Sequence, residues 1–334
     1  LTVVPLKNLH TFGFDTLAQH LVEVHTKDDL VSVFQGLKTK QFYLLGEGSN
    51  SIFLEDFAGT IVLNKLKGIQ VHENENEVGL SVGSGESWHD LVEYTLSIGA
   101  YGFENLALIP GTVGGAPIQN IGAYGVEIEK FIASVEYYDI HLNSFHILNH
   151  QDCHFVYRDS IFKHQLFNKA VITKVNFILP KNNRVEHSYA PLNQLVEPTP
   201  IDIFNKVIEV RTEKLPNPKV LGNAGSFFKN PVVTNKVLNE IKMRYTSVPH
   251  YKVSHTSVKI PAAWLIDQLG FKGKMYLGVK CHERQPLVLV NIGSGNGRGL
   301  LMLARQIKQD VSNAFNIELE NEVRLVGKNG VIDL

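Results

Sequence analysis

A length of 334 residues allows two or three domains, enough to bury a core and leave a cleft between lobes. Hydrophobic residues at 44% and charged residues at 19% are ordinary for a soluble globular enzyme. The formal net charge of −1 offers no basic excess for nucleic acid, so an anionic ligand must be held by a local cluster.

The two cysteines, Cys153 and Cys281, stand in neither a CxxC nor a metal-ligand spacing, which fits a reduced compartment and plain structural thiols. The first residues lack a basic start followed by an apolar run, so no signal peptide is expected. No apolar stretch approaches the roughly 18 residues needed to span a bilayer. The expectation is a cytoplasmic protein without a membrane or nucleic-acid partner, acting as a monomer.

In chain order, Thr26 predicts a helix cap, with Leu30, Val33, Phe34 and Leu37 on one face. A strand at Gln41 to Leu45 runs into Gly46-Glu47-Gly48-Ser49-Asn50, and another is expected at Thr60 to Asn64. Glu73 to Glu77 reads as a solvated hairpin turn before a strand at Val78 to Val82. Ser87 caps a helix carrying Trp88, Leu91, Val92 and Leu96, stopped at Gly99. A glycine- and proline-rich stretch follows from Ile109 to Gly125, then strands at Ser134 to Ile140 and Ala170 to Leu179. The latter sets Val171, Thr173, Val175 and Phe177 against Ile172, Lys174, Asn176 and Ile178, and is expected to be covered on both faces.

A helix opens at Thr199-Pro200 with Ile203, Phe204, Val207 and Ile208 on one face. Lys214-Leu215-Pro216-Asn217-Pro218 marks a domain boundary. Beyond it, helices are expected near Val237 to Met243, Pro261 to Leu269 and Gly299 to Phe315. Strands are expected near Ser226 to Lys229, Leu287 to Asn291 and Glu322 to Val326. The pattern is α+β.

Standard nucleotide fingerprints are absent. Gly46-x-Gly48 is followed by Ser51 where GxGxxG needs glycine, and no GxxxxGK[ST] exists. Two loops remain as phosphate-binding candidates. The first is Gly46-Glu47-Gly48-Ser49-Asn50; taken alone, an ordinary turn is as good a reading. The second runs from Pro110-Gly111-Thr112-Val113-Gly114-Gly115 to Gln119-Asn120-Ile121-Gly122-Ala123-Tyr124-Gly125. So many glycines argue against core packing and for backbone amides facing a pyrophosphate. Ser226-Phe227-Phe228-Lys229 matches the SxxK of serine acyl-enzymes, but that chemistry wants a helix, and Asn230-Pro231 suggests a strand. His282-Glu283 begins a zincin-like pattern that Pro286 breaks, so no metal is expected.

These segments, in this order, resemble the UDP-N-acetylenolpyruvoylglucosamine reductases over nearly the whole chain. The resemblance runs from Thr11-Phe12-Gly13 through the Gly46–Asn50 loop and Asn105-Leu106-Ala107-Leu108-Ile109-Pro110-Gly111. It continues with Gln119 to Gly125, Tyr157-Arg158-Asp159-Ser160-Ile161-Phe162, Gly222 to Pro231, and Leu319-Glu320-Asn321-Glu322-Val323-Arg324. Thr112 and Asn321 depart from residues common at those places. The segment Tyr245 to Lys259 resembles the substrate-covering loop of the family's longer branch.

The resemblance implies a three-lobed α+β flavoprotein. Its FAD-binding region would be of the vanillyl-alcohol-oxidase/PCMH type, at about 12–182, followed by a C-terminal α+β substrate-binding domain. Residues 1–66 with 318–334 would form the first FAD-binding subdomain, 67–215 the second, and 216–317 the substrate domain. FAD would be held non-covalently by Gly46, Gly48, Ser49, Asn50, Ser51, Pro110, Gly111, Thr112, Gly114, Gly115, Gln119, Asn120, Gly122, Ala123, Tyr124, Gly125, Arg211 and Arg324. Tyr124, Tyr189, Lys214, Asn230, Tyr251 and Gln285 would contact the substrate, UDP-N-acetylglucosamine enolpyruvate, with NADPH as co-substrate.

The implied chemistry reduces an enol ether conjugated to a carboxylate, so charge must be absorbed and one proton delivered. Arg158 would hold the carboxylate; a surface pair with Asp159 is the bland alternative. Glu322 would assist if it is buried and protonated or works through a bound water; pairing with Arg324 competes. Ser226 would donate the proton. Two other readings stay open at this point: another FAD-dependent oxidoreductase of the same superfamily, and a non-catalytic nucleotide-sugar binder.

Overall fold

The computed structural model describes residues 3–37, 40–182 and 184–334. The chain divides into two compact units. A middle unit consists of His20–Glu47 and Gly59–Glu213, and a terminal unit consists of Leu1–Gln19, Gly48–Ala58 and Lys214–Leu334. Each unit combines helices with mostly antiparallel sheet, so the class is α+β as expected.

The middle unit is built on a five-stranded antiparallel sheet. Its order is Ser144–Asn149, Ile132–Asp139, Ala170–Pro180, Glu77–Gly83 and Ile69–Glu73. Helix α1 (Lys27–Leu37) starts where Thr26 predicts it: Asp29 N donates to Thr26 Oγ1 (3.0 Å) and Thr26 N donates back to the Asp29 carboxylate (2.9 Å). Helix α2 (Trp88–Ser97) is capped by Ser87, whose hydroxyl accepts from Asp90 N, and buries Trp88, Leu91, Val92 and Thr95. Helix α3 (Pro200–Lys214) has proline in its first turn and buries Ile203, Phe204, Val207 and Val210. Val210 continues the 3.6-residue stripe; Ile208, on its flank, is only partly buried.

The central strand departs from the expected alternation. Glu136 pairs with Lys174 and Tyr137 with Ile172, so Thr173 is the extra residue of a β-bulge. The bulge shifts parity. Ile172, Val175, Phe177 and Leu179 all enter one core, together with Trp88 and Phe103. Val171 enters the other, with Leu30, Phe34 and Tyr138. Both faces are therefore covered only at the start of the strand, and Ile178 is exposed. Thr173 is held in the bulge by its hydroxyl, which donates to the Glu136 carboxylate at 2.6 Å.

In the terminal unit, Gly222–Ser226, Val288–Asn291, Val279–Cys281 and Met275–Tyr276 form one sheet. Val232–Thr234, Ser257–Lys259 and Tyr251–Lys252 form another. Helices α4 (Asn235–Lys242), α5 (Ala262–Gln268) and α6 (Gly297–Phe315) pack with them. Helix α6 sets Leu300, Leu303, Ala304, Ile307, Val311 and Phe315 into the core at helical spacing. Arg324–Gly327, near the chain's end, pairs in parallel with Ser51–Phe53.

Candidate functional site

In the middle unit the glycine-rich loop is stitched to the start of α2. Trp88 N donates to Gly111 O (2.9 Å), Val113 N to Glu86 O (2.8 Å) and Gly114 N to Ser84 O (2.8 Å). Two side chains of α2 complete the seam: Trp88 Nε1 donates to Leu106 O (2.9 Å), and His89 Nδ1 accepts from Leu108 N (3.1 Å). Leu108 sits at φ 58, in the left-handed region that β- and γ-branched chains avoid. Because Nδ1 accepts, the His89 ring is in the tautomer carrying its hydrogen on Nε2. Gly111 N donates to the Glu47 carboxylate at 3.1 Å, which ties this loop to the one that begins at Gly46.

Several glycines are required here by the protein itself, which corrects the argument that they serve no packing purpose. A Cβ on Gly46 would lie 2.6 Å from Thr112 Oγ1, and one on Gly114 would lie 2.6 Å from Ser84 Cβ. On Gly122 it would lie 3.1 Å from Arg158 Nη1. Gly115 is different: it is exposed, and its nearest neighbour would be 3.9 Å away, so its backbone is open to an approaching group.

Arg158, at φ 56, reaches over this loop. Its Nη2 donates to Gly122 O (2.6 Å) and its Nη1 to Asn120 O (3.4 Å). Asp159 bonds His164 at 2.7 Å. Asn120 is wholly buried and its side chain is used inside the loop: Nδ2 donates to Glu127 and to Val156 O, and Oδ1 accepts from Glu129 N. Arg211 of α3 brings a second cation. Its Nε is sealed from solvent and has no hydrogen-bond partner among the described residues. Burial pulls its pKa down; nearby Tyr124 opposes that and Arg158 adds to it. Tyr124 feels the converse, its phenol pushed up by burial and eased by Arg211. Its ring meets Tyr189 edge-on, centroids 6.3 Å apart.

In the terminal unit, backbone pairing gathers segments far apart in sequence. Ser226 ends its strand opposite Val288, and Phe227 N donates to Leu287 O (2.8 Å). Glu322 N donates to Phe227 O (2.8 Å), which sets Glu322, in the bend before Arg324–Gly327, against the residue that follows Ser226. Asn50 joins them: Arg324 N donates to Asn50 O (2.9 Å) and Asn50 Nδ2 to Glu322 O (3.3 Å). Phe227 and Phe228 are buried edge-to-face and anchor the segment in the core. The strand holding Ser226 starts at Gly222, earlier than expected, and has a register shift at Ala224-Gly225 where Gly225 takes φ 69. The strand ends at Ser226, where the expected one begins, and none of 226–229 is helical, so the SxxK reading lapses; Lys229 pairs with Glu320. Glu322 is half-buried.

Residues 217–326 match the family model of the UDP-N-acetylenolpyruvoylglucosamine reductase C-terminal domain, and residues 18–141 match that of an FAD-binding domain. The UDP-N-acetylenolpyruvoylglucosamine reductase of Pseudoalteromonas atlantica is 51% identical over 97% of this chain and 94% of its own length. The chain belongs to the UDP-N-acetylenolpyruvoylglucosamine reductase family. The protein of that name from Escherichia coli K12 is 43% identical over 98% of this chain and 97% of its own. The crystal structure of the family's reductase from Thermus caldophilus matches with a TM-score of 0.67 at 23% identity, covering 97% of this chain and 98% of that one, which shows the shared fold.

The family's FAD-binding domain is therefore present, and the residues of the middle unit fit such a cofactor. An unpartnered buried Arg211 nitrogen, a second guanidinium and the open backbone at Gly115 suit an anionic, electron-accepting group. The residues expected from sequence divide between the units. The middle unit holds Gly46, the Pro110–Gly125 stretch, Arg158, Tyr189 and Arg211. The terminal unit holds Gly48, Ser49, Asn50, Ser51, Lys214, Ser226, Asn230, Tyr251, Gln285, Glu322 and Arg324. Asn230 Oδ1 accepts from Ala262 N (2.9 Å) and so caps α5, while Gln285 N donates to His282 Nδ1 (3.2 Å). Tyr251 and Lys214 are exposed. Sequence reasoning passed over Glu47, His89 and Asn105. The signal for them was position alone: each lies inside, or directly beside, a segment already singled out.

Proposed function

We propose that this chain reduces UDP-N-acetylglucosamine enolpyruvate to UDP-N-acetylmuramate, with NADPH as electron donor and FAD as carrier. That places it in peptidoglycan precursor synthesis, in the cytoplasm, and links it to cell shape, division and the cell cycle; it acts as a monomer. The observation that carries this reading is the match over nearly the full length to relatives bearing the reductase name. When bound, FAD supplies a two-electron carrier that accepts hydride from NADPH and passes it to the vinyl carbon.

The chain's own residues do the rest. Gly46, Gly48 to Ser51, the Pro110–Gly125 stretch, Arg211 and Arg324 hold the cofactor. Residues 1–66 with 318–334 and residues 67–215 serve as its two binding subdomains, and 216–317 as the substrate domain. Tyr124, Tyr189, Lys214, Asn230, Tyr251 and Gln285 hold the nucleotide sugar. Arg158 takes the substrate carboxylate, where negative charge develops as the double bond is reduced, and its permanent charge suits that task. Glu322, half-buried beside Ser226, acts on the same charge through a proton or a bound water. Ser226 Oγ gives its proton to the carbon next to the carboxylate. A serine is a weak acid, but the carbanion or enolate it meets is a strong base.

Ser226→Ala tests the assignment by separating the half-reactions. Flavin reduction by NADPH should stay within about twofold of wild type, while reoxidation by the enolpyruvyl nucleotide falls by at least about 100-fold, the usual worth of a positioned proton donor. Equal loss in both halves makes Ser226 a structural residue.

A further inference from the structure

Asn105 lies in a short 3-10 turn, Glu104–Leu106, and is buried. Its side-chain nitrogen donates twice: to Tyr124 O at 3.0 Å and to Glu186 O at 2.8 Å. A primary amide has two hydrogens on that nitrogen, so its donors are spent, one on each segment. The first segment is the two-residue turn of a short hairpin, in which Gly122–Ala123 pairs with Val126–Glu127, and no such pairing holds the second. Tyr124 stands at φ 47, a left-handed conformation unfavourable for an aromatic residue, and 184–188 is irregular chain. Beyond the Asn105 bridge the two meet where Gly125, at φ 86, leaves room for Glu186; a Cβ there would stand 3.3 Å from Glu186 Cγ. Three residues past Glu186, the Tyr189 ring meets the Tyr124 ring edge-on.

We propose that Asn105 is a positioning residue that sets the Tyr124–Tyr189 ring pair, and through that pair the affinity for the nucleotide part of the substrate. The inference rests on the reading above, in which both tyrosines contact the substrate. One buried amide holds the backbone on both sides of the pair, so the rings arrive at the ligand already oriented and less ordering is left to binding. Aspartate in the same place has the same shape and none of the donors. Its carboxylate would face two carbonyl oxygens, and the bridge would open.

The test titrates the FAD-loaded protein with UDP-N-acetylglucosamine enolpyruvate and follows the change in flavin absorbance. In Asn105→Asp, which removes both bonds, the Kd should rise about tenfold. FAD content and the rate of flavin reduction by NADPH should stay within about twofold, a split that a general loss of folding would not give. In a Tyr189→Ala background the same substitution should change Kd by less than about twofold, because the ring it positions is gone. An unchanged Kd in Asn105→Asp overturns the proposal, and so does a full effect that persists without Tyr189. If the Asp variant loses FAD, Asn105→Ser, neutral and smaller, is read by the same criteria. Loss of FAD in both variants makes Asn105 a general fold residue and also overturns the proposal. A wild-type protein that holds FAD but ignores the nucleotide sinks the functional reading first, a result distinct from all of these.

Discussion

His10 is buried next to Gly48, and neither ring nitrogen reaches hydrogen-bond geometry with a described residue. Its surroundings favour the neutral form. Burial pushes its pKa down to about 4, and the backbone groups of Phe14 and Ser51 only partly offset that. Unfolded, the ring returns to its ordinary value near 6.5. The unfolded chain therefore binds this proton first as the pH falls, and the folded state loses stability between about 6.5 and 4. The loss reaches about 3 kcal/mol at pH 4, at roughly 1.4 kcal/mol per unit. Denaturant unfolding between pH 7 and 4 should show this slope in the wild type and a shallower one in His10→Asn. Parallel slopes would mean that other groups set the acid limit.

At this scale the sequence named Arg158, Ser226 and Glu322 from their motifs, but it could not place them. Glu322 comes beside Ser226 only through a backbone bond between segments nearly a hundred positions apart. Pattern within a segment carries no information about such pairing. Asn105 opens the motif that runs to Gly111, yet its two bonds run to carbonyls, which any residue type possesses.

Elements were legible where the signal is local. Thr26 and Ser87 cap the helices they were expected to cap, because a hydroxyl before an amphipathic stripe can satisfy its first amides without help from elsewhere. The bulge at Thr173 was not legible, since it depends on the register chosen by a neighbouring strand. Glycines show the same contrast, and one substitution made at two places should act with opposite sign. Gly36, exposed in the last turn of α1, has nothing within 4 Å of a would-be Cβ. Gly36→Ala should stabilise by about 0.5–1 kcal/mol through helix propensity. Gly297 opens α6 with its would-be Cβ 2.2 Å from Leu54 O, a backbone atom that cannot rotate away. Gly297→Ala should destabilise by about 2 kcal/mol or more. Midpoints from urea unfolding of the two variants check both signs.

For the whole molecule, the membership of the family and the α+β class were visible in the order of the motifs, and both hold. The finer chemistry asks more of the chain. Its cations, Arg158 and Arg211, belong to the middle unit, while Ser226 and Glu322 belong to the terminal unit. The activity of the family is what a direct experiment can read. That activity is a transfer of two electrons from NADPH to a conjugated enol ether, and it leaves a direct trace. The purified protein, given FAD, should show a flavin absorption spectrum and should oxidise NADPH rapidly only when UDP-N-acetylglucosamine enolpyruvate is present, one NADPH for each nucleotide sugar reduced. A protein that takes up no flavin, or that oxidises NADPH at the same rate with and without the enolpyruvyl nucleotide, contradicts the account.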